Sequence, residues 1–323
     1  MFDLKEIYEP DSLEEALQIF RDHPSAKIIA GGTDVLIKIR DDAWDEIELL
    51  SLDKIDELRN IKINGDGEIS IGAMVSFNGV MSNPIIKDKL PMLSHAASTM
   101  GGPQIRNMAT FGGNLANGVV SADSAPMLMA LDASVKILSF ANESAGSITD
   151  ASSRTGTNLN TSSRTGTNLA SERIVPLTEF YLGPGKVVLQ PGEILTEILI
   201  PKSSLVGLSG YYYKYAVRNA MDIANLSIAA VFKLDDDGII NDMRISLGVA
   251  APTPIRCKEA EDFAIGKPMN QETLEKAGDL AVGCSKARDS WRASKEYREH
   301  LIVVLLKECC KLAINDTSKA VKL

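Results

Sequence analysis

Two glycine pairs stand out in this chain because their residue types and spacing could form a binding site. The first glycine segment is Lys27-Ile28-Ile29-Ala30-Gly31-Gly32-Thr33-Asp34, and the second is Thr110-Phe111-Gly112-Gly113-Asn114. In both segments, residues without a Cβ let the backbone turn beside hydroxyl, carboxylate or amide side chains. Backbone N–H groups at such a turn can bind an anion, most obviously a phosphate or diphosphate. One such pair is typical of an ordinary turn, whereas two of them favour a ligand with two phosphates.

The elements around the first glycine segment must hold it in place. Apolar residues up to Ala30 predict a buried strand, and Thr33 or Asp34 can cap the helix that follows the turn. Neither segment matches the dinucleotide fingerprint GxGxxG or the phosphate loop GxxxxGK[ST]. The sequence therefore gives no motif for an ordinary Rossmann or P-loop site.

Composition limits the class of protein. The chain has 323 residues, of which 45% are hydrophobic and 24% charged, so we expect a soluble globular protein with room for two domains. Its formal net charge of −9 argues against nucleic acid or an anionic membrane as a partner. The first residues lack a basic and apolar leader, and no run approaches the roughly 20 apolar residues that span a bilayer. We therefore expect a cytoplasmic protein.

Other common chemistries have no motif here. The cysteines lack CxxC spacing, which favours reduced thiols in the core over a metal site or a disulfide framework. There is no HExxH metal motif and no GxSxG hydrolase motif. We expect this chain to contribute no catalytic side chain and no metal ligand. The four cysteines are Cys257, Cys284, Cys309 and Cys310.

The pattern along the chain predicts short strands mixed with short helices, which is typical of an α+β fold. A capping box predicts a helix over 11–20, and Asn64-Gly65-Asp66-Gly67 predicts a hairpin over 61–71. Residues 202–210 are a predicted domain junction. Beyond them, three strands and two helices are expected to form a compact α/β sandwich.

A polar insertion interrupts the pattern over 142–172. It contains the octapeptide Ser-Ser-Arg-Thr-Gly-Thr-Asn-Leu twice, at 152–159 and 162–169. Such a sequence can bury little apolar area, so we expect an exposed and mobile surface segment.

Two further residues have two interpretations each. Asp123 precedes an apolar helix predicted over 126–131, so it is either a helix cap or a carboxylate that accepts hydrogen bonds from sugar or ribityl hydroxyls. Lys214 stands between Tyr211-Tyr212-Tyr213 and Tyr215. It is either an exposed strand lysine or a cation that contacts a flat, electron-rich ligand.

Several motifs together identify a family. In order, they are AGGTD, GPQIRNMATFGGNLANG, SADSAP, GPGKV, EIL, YKYAVRNAMDIA, GVAAPTPIRC and SWRASKEYREHLI. The chain resembles the FAD-binding (medium) subunit of the xanthine dehydrogenase family of molybdenum hydroxylases over nearly its whole length. This resemblance implies a two-subdomain FAD-binding domain of the PCMH or vanillyl-alcohol-oxidase type over 1–202. A C-terminal domain like that of carbon monoxide dehydrogenase flavoproteins would follow over 203–323.

The resemblance also implies the residues that bind the cofactor. The first glycine segment would wrap the FAD diphosphate, and the second would form the other half of that site. Asp123 would lie near the polyol part of the flavin, Leu195 would pack on the isoalloxazine, and Lys214 would reach the flavin from the second domain. Met100 departs from the pattern, because some relatives have an aromatic residue there over the ring. Since no cysteine follows the second glycine segment closely, we expect no iron–sulfur cluster in this chain.

The implied function is electron transfer within a heterotrimer. A large subunit would carry molybdopterin, a small subunit [2Fe-2S] clusters, and this subunit FAD that reduces NAD+, most simply for xanthine oxidation in purine catabolism. Three alternatives are open from the sequence. They are a related hydroxylase acting on carbon monoxide, nicotinate or an aldehyde, a scaffold without flavin, and a sugar-nucleotide oxidoreductase with the same flavin fold, for which no acid–base pair is found.

Overall fold

The computed structural model of the chain describes residues 4–41, 46–140 and 170–320, with side-chain surroundings up to residue 315. Its strands form sheets of three, five, four and two strands. The strands are β1 (Leu4–Tyr8), β2 (Lys27–Ile29), β3 (Ile47–Ser51), β4 (Ile61–Ile63), β5 (Ile69–Gly72), β6 (Ser134–Phe140), β7 (Ala170–Pro176), β8 (Tyr181–Gly183), β9 (Lys186–Val187), β10 (Glu193–Ile200), β11 (Ser209–Tyr215), β12 (Leu226–Leu234), β13 (Ile240–Gly248) and β14 (Ile255–Arg256).

Helices connect and cover these sheets. They are α1 (Leu13–Asp22), α2 (Val35–Arg40), α3 (Phe77–Ser82), α4 (Pro84–Lys89), α5 (Pro91–Ser98), α6 (Pro103–Met108), α7 (Phe111–Ala116), α8 (Ala125–Ala130), α9 (Leu177–Phe180), α10 (Lys258–Ala264), α11 (Gln271–Cys284) and α12 (Lys295–Ala320). None of the described helices is both long enough and apolar enough to cross a membrane.

The first sheet is parallel, in the order β1-β3-β2, and it carries the first glycine segment. Helix α1 packs beside it and begins as predicted, since the Ser12 Oγ accepts a hydrogen bond from the Glu15 N–H at 3.2 Å. The predicted strand before the glycine pair is confirmed as β2, but it ends at Ile29 and its residues are exposed or half-buried, so the predicted burial is wrong. The glycine turn therefore follows directly after β2, which is an edge strand of the first sheet.

The second sheet is antiparallel, in the order β4-β5-β10-β6-β7. The predicted hairpin is its β4–β5 pair, in which Ile61 lies opposite Ile71. Strand β10 lies at the centre, and its register shifts between Leu195 and Glu197. At this bulge, the carbonyl of Thr196 accepts a hydrogen bond from the N–H of Ala73, the residue after β5, at 2.8 Å.

The third sheet has the order β11-β12-β13-β14 and is covered by α10, α11 and α12. The sequence predicted three strands and two helices here, so β14 and α10 were missed. Strand β14 has two residues and α10 has seven, which leaves little periodic signal in either. The mixed α+β fold class is confirmed.

Strand β11 joins the two halves of the molecule through its alternating side chains. Tyr212 is fully buried in the core below the second sheet, whereas Tyr211, Tyr213 and Tyr215 pack against the core of the third. Buried Arg256 lies 2.6 Å both from buried Glu261 and from Asp132, whose side chain is exposed. The halves therefore share buried polar contacts as well as apolar ones.

The predicted insertion over 142–172 lies outside the described residues except at its end. Residues 170–172 are not loop, because β7 begins at Ala170 and pairs with Phe140 of β6. The predicted boundary is wrong by these residues, since main-chain pairing in a sheet does not require apolar side chains. Among the described residues the four cysteines are free, and Cys257, Cys309 and Cys310 are buried.

Candidate functional site

The two glycine segments line a common cavity of about 410 Å³, called here the glycine cavity. They therefore lie close together in space, although they are far apart in sequence. Twelve of the sixteen residues proposed from the sequence line it: Lys27, Ile28, Ala30, Gly31, Gly32, Thr33, Asp34, Thr110, Gly112, Gly113, Asn114 and Leu195.

Gly31 packs against the backbone of the residues just before the second glycine segment. A Cβ built on Gly31 would lie 1.7 Å from the carbonyl oxygen of Met108 and 2.6 Å from its carbonyl carbon. On the opposite side, a Cβ on Gly113 would lie 3.6 Å from the Cβ of Ala30. Glycine is needed at position 31 because the backbone of the chain before α7 occupies the space of a side chain.

The first glycine segment presents unused hydrogen-bond donors. Gly32 has a φ of +72°, which favours glycine and turns the backbone into the cavity. Within the described residues, the N–H groups of Gly32, Thr33 and Asp34 have no hydrogen-bond partner. Asp34 takes the predicted cap position of α2, but its side chain makes no capping hydrogen bond within this part of the structure. These N–H groups are thus available to an anion.

The second glycine segment differs from the first, because its N–H groups are bonded within the protein. The N–H of Phe111 donates to the Val75 carbonyl at 2.9 Å, and that of Gly112 to the Ala73 carbonyl at 3.0 Å. The Gly113 N–H donates to the Thr110 Oγ1 at 3.1 Å. These donors are used because the segment begins α7 and packs against the end of β5. It serves as a wall of the cavity.

Asp123 and Lys214 form a buried ion pair with each other. The Lys214 Nζ lies 2.8 Å from the Asp123 Oδ2, and the Tyr212 hydroxyl donates to Oδ1 at 3.2 Å. Burial raises the pKa of Asp123, although the Lys214 charge and both hydrogen bonds act to lower it. Ser124, not Asp123, stands at the N-cap position of α8, and the Lys214 side chain is only 9% exposed. The helix-cap and exposed-lysine interpretations are therefore wrong.

This ion pair lies directly behind the lining of the glycine cavity. Lys214 also donates to the Thr99 carbonyl at 3.3 Å, and the next residue, Met100, lines the cavity. On the other side, Ser124 next to Asp123 donates through its hydroxyl to the Asn114 Oδ1 at 2.6 Å. Asp123 and Lys214 do not line the cavity themselves, and their predicted contacts with a cofactor stay predictions.

Two other predicted residues also lie outside the lining. Ile29 ends β2, and the Phe111 side chain is fully buried with its ring centroid 4.6 Å from that of Phe77. Leu195 and Met100 give the cavity an apolar wall, in which Leu195 is almost fully buried. These positions suit a ligand with a polar end and a flat apolar end.

Sequence reasoning missed several lining residues from other parts of the chain. They have no chemical signature of their own and are brought in by the fold. A small residue after β5 was the available signal, since a Cβ on Gly112 would lie 2.5 Å from that of Ala73. Among the missed residues are Phe20, Pro24, Ala26, Ala73, Met74, Gln190, Pro191 and Glu193.

The donors, the glycine contacts and the apolar wall fit a dinucleotide with a diphosphate and a flat ring. Comparison with known proteins agrees, since residues 2–163 match the family described as the FAD binding domain in molybdopterin dehydrogenase. The chain belongs to this family. As a member of this FAD-binding family, it also matches the CO dehydrogenase flavoprotein C-terminal domain over residues 211–313.

Individual relatives cover almost the whole chain. A xanthine dehydrogenase FAD-binding subunit from Escherichia coli O157:H7 is 37% identical over 314 residues, 97% of either chain. A nicotinate dehydrogenase FAD-subunit from Eubacterium barkeri is 31% identical over 302 residues, covering 90% of this chain and 91% of the relative. A carbon monoxide dehydrogenase structure from Hydrogenophaga pseudoflava has a TM-score of 0.83 at 26% identity, covering 98% of this chain and 99% of the other.

The family assignment makes this chain the FAD subunit of a molybdenum hydroxylase and confirms FAD as its cofactor. Within the described residues, no group of three or more His, Cys, Asp or Glu side chains could hold a metal ion. In a member of an FAD-binding family, the redox chemistry is that of the flavin.

Proposed function

We propose that the chain is the FAD-carrying electron-transfer subunit of a xanthine dehydrogenase, in a heterotrimer with a molybdopterin-binding large subunit and a [2Fe-2S] small subunit. The observation that carries this proposal is the 37% identity, over 97% of both chains, to a xanthine dehydrogenase FAD-binding subunit. When bound, FAD would accept electrons from the iron–sulfur partner and would donate a hydride to NAD+. The free thiols of the described residues support a reducing, cytoplasmic location.

In this proposal the chain's own residues bind and orient the cofactor. The first glycine segment binds the diphosphate through the N–H groups that lack a protein partner, and the second forms the facing wall. Leu195 contacts the apolar ring system. Asp123 is placed near the polyol part and Lys214 near the flavin, because Ser124 beside Asp123 bonds the lining residue Asn114 and Lys214 bonds Thr99 beside Met100. The proposed domains are residues 1–202 and 203–323.

The test is to purify the complex through this chain, identify the subunits that accompany it, and assay it with xanthine and NAD+. We expect a large and a small subunit, an absorbance band near 450 nm from flavin, and NADH formation that depends on xanthine. Turnover of nicotinate but not xanthine would instead favour the second relative named above. A colourless complex that takes up no added FAD would contradict the flavin role itself.

A further inference from the structure

Tyr212 is the third member of the buried cluster that contains Asp123 and Lys214, and neither motif nor family match marks it. It lies on β11, whose alternating side chains face two different cores. Tyr212 and Lys214 are the residues of this strand that reach across to Asp123, which belongs to the other half of the molecule. A hydroxyl that is fully buried at such a crossing must be bonded to avoid a large desolvation cost.

We propose that Tyr212 is a positioning residue of the flavin site, whose hydroxyl holds the Asp123 carboxylate ionised and in one orientation behind the glycine cavity. This inference rests on the proposed contact between Asp123 and the cofactor. It adds a residue that acts on the cofactor only through Asp123.

The geometry gives each oxygen of the carboxylate its own donor. Oδ1 accepts from the Tyr212 hydroxyl at 3.2 Å, and Oδ2 accepts from the Lys214 ammonium at 2.8 Å. With both oxygens held, the carboxylate cannot rotate without losing one of these bonds. Its remaining lone pairs keep a fixed direction, as a group that orients a polyol requires.

The cluster also anchors the cavity wall. Lys214 donates to the carbonyl of Thr99, and Met100 beside it lines the glycine cavity. If the carboxylate rotated or became neutral, Lys214 would lose its counterion. The interaction that holds its ammonium group beside the Thr99 carbonyl would then be lost. Tyr212 therefore supports both the polar and the apolar side of the cofactor site.

The charged form of Asp123 depends on few neighbours. Tyr212 and Lys214 of β11 face it directly, while Asn114 and Ser124 nearby are uncharged. The titratable groups around the tyrosine itself are His95 of α5, whose ring nitrogen contacts the Tyr212 carbonyl at 3.2 Å, and buried Cys309 of α12. Burial raises the pKa of the Tyr212 phenol well above its usual value, so it stays a donor at neutral pH.

A hydroxyl that donates to a carboxylate favours the ionised form, so its removal raises the pKa of Asp123 further. Affinity for FAD that depends on ionised Asp123 is present above this pKa and lost as the pH falls through it. In Tyr212→Phe the loss must therefore begin at a higher pH than in the wild type.

The experiment titrates FAD into the flavin-depleted full-length chain between pH 5 and 8, with Tyr213→Phe as the matched control. Tyr213 is the next residue of the strand, faces the other core, and its hydroxyl has no hydrogen bond among the described residues. We expect Tyr212→Phe to weaken FAD binding about tenfold at pH 7 and to shift the acid midpoint upward by about one unit. Tyr213→Phe should match the wild type in both respects.

A double variant separates positioning from general stability. In an Asp123→Asn background there is no carboxylate to hold ionised, so adding Tyr212→Phe should change FAD affinity less than about twofold. An equal loss in both backgrounds, or a Tyr212→Phe protein that matches the wild type at every pH, would overturn the inference. If the wild-type chain binds no FAD, the proposed function fails instead, and the two failures are distinguishable.

Discussion

Replacing Gly31 by alanine tests whether the first glycine segment must pack closely against the backbone just before the second segment for FAD to bind. The added Cβ would lie 1.7 Å from the Met108 carbonyl oxygen, whereas ordinary contacts of a Cβ lie at 3.4–4 Å. The atoms that it meets belong to backbone, so no side chain can rotate away. The first glycine segment and the Met108 backbone would have to move apart by about 1.7 Å. This displacement is larger than the positional error that a hydrogen-bonded ligand site tolerates.

The size of the effect follows from this clash. Forcing an extra carbon into a packed region costs about 1–3 kcal/mol. If that energy is spent when the binding-competent arrangement forms, the Kd for FAD rises by about 5- to 150-fold. The matched control is Gly65→Ala, where an added Cβ meets nothing within 4 Å.

The assay compares the flavin content of the purified variants by absorbance and then measures FAD binding to the flavin-depleted chains. We expect Gly31→Ala to be purified with little flavin and Gly65→Ala with the wild-type amount. A Gly31→Ala protein that folds and binds FAD with wild-type affinity would refute the argument that this contact shapes the site. Circular dichroism and thermal melting of the flavin-depleted proteins show whether the variant is folded.

Two further predictions concern stability and are checked by urea unfolding of the flavin-depleted chain. Thr110→Ala removes the acceptor of the Gly113 N–H and should lower the free energy of unfolding by about 1 kcal/mol. No loss would mean that water replaces this cap fully. Arg256→Met removes the arginine that pairs with both Asp132 and buried Glu261. It should lower the free energy of unfolding by about 3–5 kcal/mol. A loss below about 1 kcal/mol would show that the network contributes little to holding the two halves together.

Local sequence signals predicted the elements around the site well. The capping box predicted α1, and the Asn64–Gly67 turn predicted the β4–β5 hairpin. These elements succeed because capping residues and apolar periodicity act within a few residues of one another.

The residues of the two glycine segments do not predict whether the N–H groups of each segment are free or hydrogen-bonded. Both contain a glycine pair beside a hydroxyl residue, yet the first has free N–H groups and the second uses them against Ala73 and Val75. The difference depends on what lies opposite in space, and this is set by how β5 ends rather than by the glycine segment. A short motif specifies a backbone shape and not its partners.

The Asp123–Lys214 pair shows the same limit for side chains. Each residue had a functional interpretation that involved a ligand, and neither pattern indicated that the two would bond each other at 2.8 Å. Contacts between residues so distant in sequence arise from the docking of β11 against α5 and the segment before α8, which no local pattern encodes. The fully buried hydroxyl of Tyr212 was hidden for the same reason, inside a run of three tyrosines.

The central claim is that FAD lies between the two glycine segments with its diphosphate on the first. Hydrogen–deuterium exchange at single-residue resolution, with and without FAD, tests it directly. We expect the N–H groups of Gly32, Thr33 and Asp34 to become protected on FAD binding. Those of Phe111, Gly112 and Gly113 should change little, because they are already bonded within the protein. FAD binding that leaves Gly32, Thr33 and Asp34 as exposed to exchange as before would contradict it.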